Sequence, residues 1–119
     1  MSSPQPFEVR TERSGRVHRL ILTGELDIAT TPILRRAFEA VYEGDAAMIV
    51  LDLTQLRFMD STGIGALIRM NDACEAADRL RIVNGSAAVV KVLDITGVRR
   101  QLPIISSNDD PLAPVRRED

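Results

Sequence analysis

Apolar and polar residues exchange along this chain with two different periods, and the switches between them mark out its elements. FEVRTE puts Phe7, Val9 and Thr11 on one side of an extended chain and Glu8, Arg10 and Glu12 on the other. That alternation predicts a strand at a sheet's margin. Ser14-Gly15 signals a turn, and RVHRLILTG returns as a second, more buried strand. In PILRRAFEAVYEG the spacing lengthens. Ile33, Leu34, Ala37, Phe38, Val41 and Tyr42 recur every three or four positions, which predicts a helix with one buried face. Thr31 is placed to cap it, with Pro32 at its first position and Gly44 as its stop.

AAMIVLDL is continuously apolar and rich in branched residues, as suits a central strand covered on both faces. TQLRFMDSTGIG follows and leads into a helix over 62–77, with Ile64, Leu67, Ile68 and Cys74 along its inner side. LRIVN predicts a further strand. Ser86 is placed to cap a helix over AAVVKVLDIT that Gly97 closes, and LPII predicts a last strand that Pro103 confines to an edge. The order β-β-α-β-α-β-α-β predicts an α/β fold: a mixed, mostly parallel sheet flanked by helices, opened by a hairpin.

Composition narrows the function classes. At 119 residues and 45% hydrophobic the chain is expected to form one domain over 1–105. The stretch 106–119 has two prolines and four acids and is expected to be a disordered acidic tail. It carries the whole formal charge of −2, so the body is neutral and offers no basic face to nucleic acid. Aromatic residues at 3%, with no Trp, argue against stacking on single strands. Cys74 is alone, which excludes an internal disulfide and a cysteine-based zinc site, and it is expected to be a buried small hydrophobe. No run is apolar enough to span a bilayer and the N-terminus has no secretory signal pattern, so a soluble, cytoplasmic protein without cofactor or metal is expected.

The candidate chemistry lies in FMDSTGIG, residues 58–65. A hydroxyl at Ser61 has three possible uses. Nucleophilic attack needs a base within reach, and the sole histidine, His18, belongs to the second strand beside Leu20 and Leu22. MDSTG is not the serine-hydrolase elbow, and Asp60 has no second carboxylate loop of the aspartic-protease kind. An enzyme is therefore not expected. Capping is the simplest local reading, since the hydroxyls at 61 and 62 stand just before a helix and an acceptor there contributes about 1 kcal/mol. Asp60 favours the positive end of the helix dipole, and Gly63 and Gly65 allow close backbone approach. The third use is to carry a phosphate, which adds about −2 charges where a helix start tolerates them.

TGELDIATTPILRRAF, IVLDLTQLRFMDSTGIGALI and VVKVLDITGVRRQL together resemble the anti-sigma factor antagonists of bacteria, built on the STAS domain, over residues 7–105. The resemblance implies binding to an anti-sigma factor that is also a serine kinase, and so release of a sigma factor to RNA polymerase. It implies phosphorylation of Ser61, which breaks the complex, and a separate serine phosphatase that restores it. Asp27, Asp60, Thr62 and Gly63 are the implied switch and partner-binding positions, with no direct contact to nucleic acid or membrane. Many relatives close with a further helix where this chain has its acidic tail. A passive STAS adaptor in a transporter or stress-signalling complex, with Ser61 only a helix cap, is the alternative. Arg69 and Asn71 fit either a partner surface or a solvated helix face.

Overall fold

The structure is a computed structural model and describes residues 6–106. The expected tail therefore lies, apart from Ser106, outside the described residues. Strand β1 (Glu8–Ser14) pairs antiparallel with β2 (Val17–Leu26). Helix α1 (Thr31–Tyr42) then leads to β3 (Met48–Asp52), which lies parallel to β2. A short strand β4 (Leu56–Met59) precedes helix α2 (Ser61–Cys74), which runs on into a 3-10 turn at Glu75–Ala77. Strand β5 (Leu80–Val83), helix α3 (Ala87–Thr96) and strand β6 (Ile104–Ile105) complete the described chain. The sheet order is β1-β2-β3-β5-β6, with every pairing after the hairpin parallel and β6 at the edge that Pro103 indicates.

Register puts the long apolar side chains on one face. Leu20 pairs with Leu51 and Leu51 with Ile82, and all three belong to one buried cluster. From α1 the cluster takes Leu34 and Phe38, from α2 Ile64, Leu67 and Met70, and from α3 Val89 and Leu93. Burial of these side chains is the main source of stability, at about 25 cal/mol per Å² of apolar surface removed from water. Gly97 closes α3 in the left-handed conformation (φ 72°), as its position predicts.

Four expectations are corrected. Strand β4 was not foreseen. It extends the end of β2, with Glu25 opposite Phe58 and Leu26 opposite Met59. Its four residues bury only the first and last, Leu56 and Met59, so the alternation that reveals a strand is missing. Helix α1 starts one residue early: Thr30 stands at the N-cap, and Thr31 is its buried first residue. Ile33, counted on the inner face, is 42% exposed, because the apolar stripe is wider than the arc that meets the core. Gly44 lies beyond the C-cap Glu43 and has no positive φ, so the helix ends before it.

Candidate functional site

The C-terminal ends of β2 and β4 lie side by side and deliver two turns to one place. The Asp60 N–H donates to the Leu26 carbonyl at 3.2 Å. The loop that begins at Asp27 therefore stands next to the start of α2. Its conformation is fixed by a local knot. Asp27 Oδ1 accepts from the backbone N–H groups of Ala29 (3.0 Å) and Thr30 (3.1 Å). The Thr30 hydroxyl accepts the Asp27 N–H at 2.9 Å and donates to the Glu25 carbonyl at 2.8 Å. Asp27 thus spends its carboxylate on shaping the loop.

The start of α2 divides its labour between neighbours. Asp60 is the N-cap, in an extended conformation (φ −102°, ψ −172°), and its Oδ1 accepts from the amides of Thr62 (2.9 Å) and Gly63 (3.2 Å). Ser61 is the first helical residue, exposed to solvent, and its hydroxyl makes no hydrogen bond among the described residues. This corrects the expectation that the hydroxyls of Ser61 and Thr62 cap the helix. A carboxylate one residue upstream takes the same free amides. The reading of Ser61 as only a helix cap falls with it.

Gly63 is required by packing. A Cβ there would stand 2.7 Å from Met59 Cγ and 3.0 Å from Leu26 Cδ2. The bare backbone lets the first turn of α2 sit directly on the ends of β4 and β2. Thr62 is half-buried beside it. The structure therefore gathers Asp27, Asp60, Ser61, Thr62 and Gly63 at one end of the sheet, as the motifs imply.

His18 is buried near the start of β2, eight residues from Leu26. At about 3.3 Å per strand residue that is on the order of 25 Å from Ser61, beyond the reach of a general base. Among the described residues no three of His, Cys, Asp and Glu are grouped as a metal site requires, and no helix is long and apolar enough to cross a membrane. Cys74 is 1% exposed, and burial raises its thiol pKa against a smaller opposing effect of the Arg79 charge. Asn71 is committed to the fold, since its Nδ2 donates to the Gln101 carbonyl at 3.2 Å.

Sequence reasoning missed three exposed apolar side chains near this end. Four large apolar side chains are exposed among the described residues, and three of them, Ile28 (76%), Ile33 (42%) and Phe58 (44%), belong to the loop, helix and strand that surround this end. Ile28 follows Asp27, Ile33 lies in the first turn of α1, and Phe58 sits two residues before Asp60. Periodicity assigned Ile33 to the core and gave Phe58 no element, which concealed their exposure.

Known proteins share this architecture. The model of the STAS domain matches residues 8–110. An anti-sigma F factor antagonist of Paenibacillus polymyxa is 30% identical over 108 residues, 89% of this chain and 92% of that protein. The crystal structure of an anti-sigma factor antagonist from Mycobacterium paratuberculosis superposes with a TM-score of 0.78 at 24% identity, covering 87% of this chain and 89% of that one. The antagonist SpoIIAA in its unphosphorylated form gives 0.65 at 26% identity over 85% of this chain and 90% of its own, and its phosphorylated form from Bacillus gives 0.61 at 23% over 85% and 94%. With the fold, the motif order and these relatives in agreement, the chain belongs to the STAS-domain family of anti-sigma factor antagonists.

Proposed function

We propose that this protein binds an anti-sigma factor that is also a serine kinase, and that phosphorylation of Ser61 by that kinase ends the complex. The observation that carries the reading is the division of labour at the start of α2. Asp60 caps the helix, so the adjacent hydroxyl is exposed and unoccupied. A kinase needs such a hydroxyl, and modifying it removes no hydrogen bond from the fold. The phosphate adds about −2 charges one residue from a carboxylate. The helix dipole and first-turn amides tolerate it, so the domain stays folded while its surface gains negative charge.

Docking uses the apolar patch around the site. Ile28, Ile33 and Phe58 supply the buried contact, and a dianion next to that contact must be desolvated for the partner to stay. A serine phosphatase resets the switch. The protein acts by binding rather than by catalysis, in the cytoplasm where sigma factors meet RNA polymerase, and needs no cofactor. That SpoIIAA has been solved in unphosphorylated and phosphorylated forms supports the reading.

Phosphosite mapping by mass spectrometry, after incubation with ATP and candidate anti-sigma kinases, tests the proposal. A single phosphate on Ser61 is expected. Phosphate on Thr62 alone, or none with any such kinase, overturns it.

A further inference from the structure

Arg69 is an exposed cation on α2 that makes no hydrogen bond or ion pair among the described residues. Its side chain is nonetheless directed. The guanidinium lies back along the helix over Gly65, with Nη1 3.5 Å and Nη2 4.0 Å from where a Cβ at that glycine would stand. Ser61, Gly65 and Arg69 are spaced four apart, so they follow one another along the solvent side of α2. Helical side chains lean toward the N-terminus, and four residues rise about 6 Å. The Arg69 charge has thus travelled about one turn from its own Cα and stands about one turn from Ser61. A Cβ at Gly65 would lie in ordinary contact with the guanidinium, whereas a longer side chain would fill its path.

We infer that Arg69 is the counter-ion of phosphoserine 61. This inference rests on the proposed modification and adds the residue that receives it. A phosphate at Ser61 extends from the first turn into the space before the guanidinium, and a planar guanidinium matches phosphate oxygens in two-point contact. The surrounding charges sharpen the assignment. Asp60 repels the phosphate from the cap side, Asp27 adds negative charge from the neighbouring loop, and Asp72 sits on the solvent side of α2 beyond Arg69. Arg35 and Glu39 of α1 and Glu43 at its C-cap share with Arg69 the lining of the groove between the helices, and neither carboxylate is within ion-pair distance of it. On α2 itself, Arg69 is the sole cation. Phosphorylation then redirects Arg69 from solvent onto the modified serine, which orders the helix start and withdraws a positive charge from the surface.

The test uses full-length protein with phosphoserine installed at position 61 during translation, so it does not depend on any kinase. The second ionisation of the phosphate, near pH 6 when unperturbed, is followed by phosphorus NMR. An adjacent guanidinium favours the dianion and lowers this value. Arg69→Gln should raise it by a few tenths of a pH unit, as befits an exposed pair. Gly65→Leu keeps the charge but fills its path, and should raise it similarly. Circular dichroism confirms that each variant is folded. Identical titration curves for the parent and Arg69→Gln overturn the inference while leaving phosphorylation of Ser61 standing. Failure of every kinase to modify Ser61 overturns the proposed function without altering this titration.

Discussion

The Asp60 carboxylate accepts the Thr62 amide at 2.9 Å, and that bond takes the capping role that the Ser61 hydroxyl could otherwise fill. Three successive residues, Asp60, Ser61 and Thr62, all have side chains able to cap a helix. Only the first stands at the extended N-cap position, and Ser61 is left pointing at solvent.

Stability separates the two neighbours. Asp60→Ala removes the acceptor for two amides and should cost about 1 kcal/mol, lowering the melting temperature by several degrees. Asp60→Asn should retain most of the stability, because asparagine caps comparably well. Ser61→Ala should melt within about 0.5 kcal/mol of the parent protein. If Ser61→Ala proves the more damaging of the two alanine variants, the assignment of the cap is wrong.

The two glycines of the first turns should respond in opposite directions. Gly63→Ala brings a Cβ against Met59 and Leu26 and should destabilise by about 1–3 kcal/mol through overpacking. A Cβ at Gly65 would meet nothing closer than the Arg69 guanidinium, at an ordinary contact distance of 3.5 Å, so Gly65→Ala should stabilise by up to about 1 kcal/mol through helix propensity. Urea denaturation of both variants checks the contrast, and equal losses at the two sites would contradict the packing described.

Most of the framework was legible because its elements obey one period for long enough. Residues 7–12 alternate into β1, β2 has an apolar centre at Leu20, Ile21 and Leu22, and α1 repeats its apolar positions for three turns. Strand β4 was not legible, since four residues with burial only at the ends carry no period. The capping residue was lost with it. Where α2 begins depends on where β4 ends and on the Asp60 amide reaching Leu26, a contact 34 residues away in sequence. Local chemistry ranks Asp60, Ser61 and Thr62 as comparable caps, so only the tertiary pairing chooses among them. The motifs pointed to residues that share one end of the sheet, whereas the exposed Ile28, Ile33 and Phe58 needed the structure to reveal them.

The core should fail abruptly when charged. Leu67 is fully buried within the cluster that joins α2 to the sheet. Leu67→Asp strands a carboxylate among apolar side chains at a cost of several kcal/mol, comparable with the stability of a whole domain. Loss of the cooperative melting transition is expected, and a normal melt would show that α2 is not packed as described.

Cys74 should behave as a packing residue. Its thiol is buried and its pKa is raised by desolvation, with Arg79 opposing, so the reactive thiolate is scarce at neutral pH. A thiol-specific chromogenic disulfide reagent should label it slowly in the folded protein and rapidly in urea. Equal rates in both states would contradict the burial.

The central claim is that Ser61 switches binding without supporting the fold, and one titration tests it most directly. The anti-sigma partner is titrated calorimetrically with the parent protein, Ser61→Ala and Ser61→Asp, each with and without ATP. The parent should bind and be released once ATP is added. Ser61→Ala should bind with the parent's affinity and stay bound. Ser61→Asp should bind more weakly throughout, because a permanent charge stands at the docking surface. Release of Ser61→Ala by ATP, or unaltered binding by Ser61→Asp together with a parent complex that ignores ATP, would contradict the account.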